Sequence, residues 1–172
     1  MREAFVRMIK TLVLLVLMMG MSIGAMAYNK LPPSTEALFI TQLVAYEKVL
    51  REEKDIVVYV MKAPEVAKAL NKIIGTDIGT SKLAKVISGD LIPDERYDIL
   101  YIGAEEDVQT AIYYTRKFKV LSVTGNTSLV DDGVTLGLGT SGGKPKYLLN
   151  LSAARAEGAT WDPAVLRFEL SE

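Results

Sequence analysis

Continuous apolar runs recur along the chain and predict its strands. Runs without polar alternation are typical of strands that are covered on both faces, as in a parallel sheet. They lie at residues 56–60 and 99–102, and further strands are predicted at 120–123, which contains Ser122, and more weakly at 85–87. The pattern therefore predicts a mostly parallel sheet.

Apolar positions at helical spacing fill the gaps between these runs. A first helix is predicted at residues 34–50 and a second at residues 63–74, where Gly75 ends the pattern. A third helix is predicted to begin at residues 105–107, with Val108, Ala111 and Ile112 facing inward. Strands that alternate with helices of this length are typical of βαβ units, so we expect an α/β fold, a three-layer sandwich.

The end of the chain departs from this alternation. Strand-like residues 134–138 and 146–151 flank a glycine-rich turn, which predicts an antiparallel C-terminal hairpin. Two short helices are predicted after it, at residues 152–157 and 162–170. Because no repeat or linker-like stretch interrupts residues 34–172, we expect them to form a single domain.

Residues 1–27 have the pattern of a signal peptide. A positively charged segment precedes an apolar stretch, and Ala25 and Ala27 fit the small residues of a signal-peptidase site. A spanning helix needs about 20 apolar residues, and this stretch is shorter. We therefore expect cleavage after Ala27, a flexible mature N-terminus at residues 28–33, and a periplasmic protein that is not inserted in the membrane. An uncleaved N-terminal anchor is the alternative.

Composition removes several function classes. The chain has neither cysteine nor histidine, and its formal net charge is −1. These absences exclude thiol nucleophiles, Ser-His-Asp triads and metal sites built from thiolate or imidazole. The mild acidity gives no electrostatic basis for binding nucleic acid. We expect no catalytic residues, no metal and no cofactor.

Two motifs that could suggest chemistry have simpler explanations. Residues 137–142 match the dinucleotide motif G-x-G-x-x-G, which requires a helix after it, but Pro145 and a strand-like run follow instead. The acidic residues 105–107 fit the first turn of a helix, where carboxylates complement the helix dipole. Neither motif supports a cofactor site or a catalytic carboxylate.

The predicted fold places one group of residues where a ligand or partner would bind. In open α/β sheets, ligands gather beyond the carboxyl ends of the strands. We predict that the residues bordering such a site, beside Lys62, are Gly103, Ala104, Thr124, Gly125 and Asn126.

The last third of the chain resembles the YfiR-like family of bacterial periplasmic proteins. The resemblance lies in residues 120–123, the turn at 132–134, the Asn-Leu-Ser-Ala-Ala-Arg-Ala-Glu-Gly segment at 150–158 and residues 164–167. Upstream, residues 37–39, 56–60 and 98–103 follow the family's order. The chain departs from the family at Asp132, where members often have glycine, and in lacking the cysteines that members often have.

The resemblance implies a regulator rather than an enzyme. Such proteins are similar to a periplasmic repressor that binds the sensor domain of an inner-membrane diguanylate cyclase and restrains cyclic-di-GMP synthesis, and hence biofilm formation. Other members accompany sensor kinases or outer-membrane receptors, so the resemblance does not fix the partner. We expect the periplasmic domain of a diguanylate cyclase or a sensor kinase, and a homodimer is a further candidate assembly. A periplasmic sensor or carrier of a small ligand is the alternative function.

Overall fold

The computed structural model describes residues 29–52 and 54–168, and within them the chain forms a seven-stranded sheet. The strands are β1 (Asp55–Met61), β2 (Asp77–Ile78), β3 (Ser81–Gly89), β4 (Ile99–Ile102), β5 (Leu121–Thr124), β6 (Leu136–Ser141) and β7 (Lys144–Leu149). Their order across the sheet is β2-β3-β1-β4-β5-β6-β7. The five central strands are parallel, whereas β2 and β7 are antiparallel to their neighbours. The predicted α/β class, the mostly parallel sheet and the C-terminal hairpin, β6 with β7, are confirmed.

Helices on both faces of the sheet complete the three layers. One face is covered by α1 (Pro33–Val44), α2 (Pro64–Asn71) and a 3₁₀ helix (Pro163–Arg167). The opposite face is covered by α3 (Val108–Phe118), α4 (Leu129–Asp132) and α5 (Leu151–Glu157). Both α1 and α2 begin with proline, whose fixed φ suits the first helical position.

The sheet separates two hydrophobic cores. The larger core lies on the side of α1 and includes Phe39, Leu43 and Val60. The smaller core lies on the side of α3 and includes Met61 and Ile102. Val60 and Met61 belong to different cores because successive side chains of a strand point to opposite faces. Burial on both faces explains why the central strands appear in the sequence as continuous apolar runs.

A short N-terminal segment is attached to the sheet. The backbones of Asn29 and Thr140 exchange two hydrogen bonds, of 3.1 and 2.8 Å. Leu31 is buried in the larger core. Asn29 and Leu31 therefore make specific contacts within the stretch that was expected to be flexible.

The predicted signal peptide lies outside the described residues, together with its cleavage site at Ala25 and Ala27. Among residues 29–52 and 54–168, no helix is both long enough and apolar enough to cross a membrane. Cleavage after Ala27 therefore stays a prediction.

The first helix is shorter than its apolar spacing predicts. It ends at Val44 instead of Leu50. After it, the buried carboxylate of Glu47 accepts hydrogen bonds of 2.7 Å from the backbone N–H groups of Leu50 and Thr160. A buried carboxylate needs such donors, and they hold this stretch in a turn. Local spacing could not reveal this because Thr160 is 113 residues away along the chain.

Other elements also differ from their predicted bounds. α2 ends at Asn71 instead of residue 74, and α3 begins at Val108, so the acidic residues 105–107 precede the helix instead of forming its first turn. The weak run at residues 85–87 is the centre of β3, which has nine residues. The predicted final helix is the 3₁₀ helix Pro163–Arg167, after which Phe168 is extended. Residues 169–172 lie outside the described part of the chain.

Candidate functional site at the carboxyl edge of the sheet

The carboxyl ends of β1, β4 and β5 form one edge of the sheet. β1 leads into α2 on one face, whereas β4 leads into α3 on the other face. The connections therefore diverge between β1 and β4, where open α/β sheets usually have a crevice. The predicted site residues lie at this edge. Gly103 and Ala104 follow β4, Thr124 is the last residue of the adjacent β5, and Gly125 and Asn126 follow it.

The backbone of Gly103 closes the space between β1 and β4. Its N–H donates a 2.9 Å hydrogen bond to the carbonyl oxygen of Met61. A Cβ on Gly103 would lie 2.6 Å from the carbonyl oxygens of both Met61 and Lys62, which is too close for any side chain. The backbones that follow β1 and β4 are therefore in close contact at Gly103.

Lys62 extends across the same position. Its φ of +52° lies in the left-handed region, which is strained for a residue with a Cβ. Its ammonium nitrogen is 2.6 Å from a carboxylate oxygen of Asp107 and 3.4 Å from one of Glu106. The hydrogen bond with Asp107 raises the pKa of Lys62, so the charged form is favoured. Two of the acidic residues that precede α3 thus form ion pairs with Lys62.

Hydrogen bonds join the loops that follow β4 and β5. The Thr124 hydroxyl donates to the carbonyl oxygen of Ile102 at 2.8 Å and accepts from the N–H of Asn126 at 3.1 Å. The side-chain amide of Asn126 donates to a carboxylate oxygen of Glu105 at 2.5 Å. Its oxygen accepts from the N–H and the hydroxyl of Ser128. The polar groups of Thr124 and Asn126 are therefore used in holding the edge together.

A buried carboxyl–phenol pair lies on the α1 side of this edge. Glu36, in the first turn of α1, accepts a 2.7 Å hydrogen bond from the hydroxyl of Tyr101. Burial raises the pKa of both groups. A Cβ on Gly125 would lie 2.4 Å from the carboxylate of Glu36 and 2.6 Å from the hydroxyl of Tyr101. Gly125 is buried against this pair and allows the close approach.

The arrangement presents fixed polar groups without a recognisable catalytic set. The amine of Lys62 is in ion pairs, and the hydroxyl of Thr124 bonds to backbone. A nucleophile needs a neighbouring base that activates it, and these partners do not act in that way. In the part of the chain that the structure describes, no group of three or more acidic side chains could hold a metal ion.

Sequence reasoning missed the pair of Glu36 and Tyr101. An acidic residue in the first turn of a helix usually complements the helix dipole from the surface, so the position of Glu36 in the sequence gives no sign of its burial. Tyr101 stands within an otherwise aliphatic buried strand. A buried tyrosine hydroxyl requires a partner, which is the one sign that could have indicated the pair.

Residues 34–168 match a family model described as YfiR/HmsC-like. Among solved structures, the chain is similar to a conserved domain protein from Vibrio cholerae O1 biovar El Tor str. N16961, with 16% sequence identity and a TM-score of 0.49. That similarity covers 79% of this chain and 58% of the other, so the chain spans less than two thirds of that protein. A comparison with curated proteins gives no match.

Proposed function

Because the chain belongs to the YfiR/HmsC-like family, we propose that it is a non-enzymatic periplasmic regulator of an inner-membrane signalling protein. It binds the periplasmic sensor domain of that partner and modulates cyclic-di-GMP output. The favoured partner is a diguanylate cyclase, and a sensor kinase is the alternative partner. Residues 34–172 form its single domain, and residues 1–27 export it and are removed after Ala27.

The family match over residues 34–168 is the observation on which this proposal rests. The carboxyl edge supports the non-enzymatic part of the proposal, because its polar side chains are held in internal contacts such as those of Lys62 and Asn126. A nucleophile at that edge would need a free activating base beside it.

Crosslinking in intact cells, followed by mass spectrometry, tests the proposal. We expect the chain to be captured with an inner-membrane protein that carries a diguanylate cyclase or kinase domain. Deletion of the chain should then change the cellular level of cyclic-di-GMP. A variant that lacks residues 1–27 is the control, because it should not reach the periplasm and should capture neither partner.

Capture of only the monomer or a homodimer would contradict this function. The alternative function, binding of a small ligand, would be supported if a small molecule also raised the melting temperature of the purified domain. The closed packing of Gly103 against Met61 and Lys62 gives that alternative no support.

A further inference from the structure

We propose that the outer edge of β3 is the surface through which this regulator binds its partner, and that it accepts an extended acidic segment of the partner as an additional strand. The inference rests on the proposed function, since it names the surface that a signalling partner would occupy. Addition of a strand to an exposed sheet edge is a recurrent mode of peptide recognition.

Most of the outer edge of β3 has no neighbouring strand. β2 pairs only with Ser81 and Lys82, and Leu83 exchanges backbone hydrogen bonds with Gly75 and Thr76. Beyond Leu83, no backbone hydrogen bond from within residues 29–52 and 54–168 reaches this side of β3. The strand thus begins paired on both sides and continues with one side free.

The free side presents the backbone groups of Val86 and Ser88. The N–H of Lys62 donates to the carbonyl oxygen of Gly89 at 2.9 Å, so Gly89 faces β1. Successive residues of a strand direct their N–H and C=O groups to opposite sides, so Ile87 also faces β1. Val86 and Ser88 therefore direct their donors and acceptors outward, where an added strand would bond to them.

Apolar side chains lie along this edge and at both ends of it. Val86 and Ile87 are half-buried. Ile74, which precedes the turn paired with Leu83, is 46% exposed, and Leu91, just beyond β3, is 79% exposed. These are two of the large exposed apolar residues of the described chain, and an added strand would remove them from water.

The charge at this edge selects an acidic occupant. Lys72 and Lys85 are exposed around it, and within the described residues neither forms an ion pair. Lys82 is also exposed but lies 3.8 Å from a carboxylate oxygen of Asp77, and Asp90 follows the far end of the strand. A second copy of the chain would bring the same lysines together, and like charges across a strand pair are destabilising. A segment with carboxylates beside apolar residues would instead satisfy both the lysines and the apolar positions.

The opposite edge of the sheet differs in its backbone. β7 contains Pro145, which has no N–H to donate, and proline is a residue with which edge strands avoid further pairing. Lys144 and Lys146 are exposed there as Lys82 and Lys85 are on β3, so the two edges carry similar charge. β7 therefore provides a matched control for β3.

A photocrosslinking residue placed at Ser88, Lys146 or Asn126 in intact cells tests the surface. We expect the inner-membrane signalling protein to be captured from position 88 and not from position 146. Capture from position 126 alone would overturn the β3 proposal and leave the proposed function standing. Absence of capture from all three positions would count against both.

A charge reversal then tests the mode of binding. The probe is the purified periplasmic domain of the signalling protein captured from intact cells. Lys85→Glu should raise the Kd by about tenfold or more, because it sets a carboxylate against an acidic segment, whereas Lys146→Glu should change it less than about threefold. Equal effects of the two variants would overturn the proposal. Hydrogen exchange on the same complex should show new protection at Val86 and Ser88.

Discussion

Contacts with residues far away in the sequence fix the conformation of several single residues, and Lys62 is the clearest example. Its left-handed backbone is strained, yet its N–H bonds to Gly89 and its ammonium group pairs with Asp107. The strain and the ion pair are separable, because glycine removes both the strain and the charge, whereas alanine removes only the charge.

We therefore expect Lys62→Gly to be more stable than Lys62→Ala by about 1 kcal/mol, since a Cβ is unfavourable at this φ. Urea denaturation of the two purified variants measures the difference. Lys68 is the control, because it is exposed on α2. There alanine should be more stable than glycine by about 1 kcal/mol, so the order of the two variants reverses. The same order at both positions would show that Lys62 is unstrained.

Glu157 is a second residue whose surroundings could not be foreseen. Its carboxylate accepts hydrogen bonds from the N–H and the hydroxyl of Ser122, at 3.0 and 2.6 Å, and from the hydroxyl of Thr135 at 2.6 Å. Burial nevertheless raises the pKa of Glu157 above its ordinary value of 4.5. The Ala-Ala-Arg-Ala-Glu pattern of α5 gives no sign of this, since its donors come from β5 and from the loop before β6.

The raised pKa of Glu157 predicts how stability changes with pH. The folded protein binds this proton more readily than the unfolded chain does, so the contribution of Glu157 to stability grows as pH falls through the folded-state pKa. It is complete below the ordinary value of 4.5 and is lost as pH rises again. Glu157→Gln should therefore show a smaller rise of unfolding free energy between about pH 7.5 and pH 4.5 than the parent.

Urea denaturation across that pH range tests the prediction. The pKa of Glu36 is raised in the same direction by burial. The double variant Glu36→Gln with Glu157→Gln should consequently flatten the pH dependence further. Identical slopes for the parent and both variants would rule out a role for these carboxyls.

Whole elements were predictable where the determining contacts are local. The runs of β1, β4 and β5 indicate strands because both faces of each strand are covered by apolar side chains. β3 was predicted only at its centre, because at the edge its residues alternate between core and water. The predicted end of α1 was wrong for a different reason. Glu47 accepts a hydrogen bond from the N–H of Thr160, which lies near the other end of the chain.

The C-terminal segment is held by aromatic packing against α1 and β7. The ring of Phe168 lies 5.8 Å from that of Phe39, 5.6 Å from that of Tyr46 and 6.4 Å from that of Tyr147. Phe168→Ala should lower the unfolding free energy by about 2 to 3 kcal/mol, because three rings lose a neighbour. Thermal and urea denaturation measure this loss. Leu166→Ala, at a side chain that is 69% exposed, should change it by less than about 0.5 kcal/mol.

For the whole molecule, the sequence predicted the arrangement of the strands better than the contacts that the candidate site residues make. It placed Gly103 and Asn126 at one edge, because the carboxyl ends of neighbouring parallel strands meet. It could not predict the close backbone contact at Gly103 or the ion pairs of Lys62 at that edge. Those contacts depend on loop conformations, which apolar periodicity does not describe.

The same strand order predicts a pattern of hydrogen exchange across the sheet. Amides of β1 and β4 should exchange slowest, since these strands are bonded on both sides. Within β3, the amides of Ile87 and Gly89 face β1 and should be protected, whereas those of Val86 and Ser88 face outward and should exchange fast. NMR-detected exchange of the purified domain resolves these positions one by one. Slow exchange at Val86 and Ser88 would mean that the edge is already covered. Loss of that protection on dilution would then identify the cover as a second copy of the chain, because only an intermolecular contact depends on protein concentration.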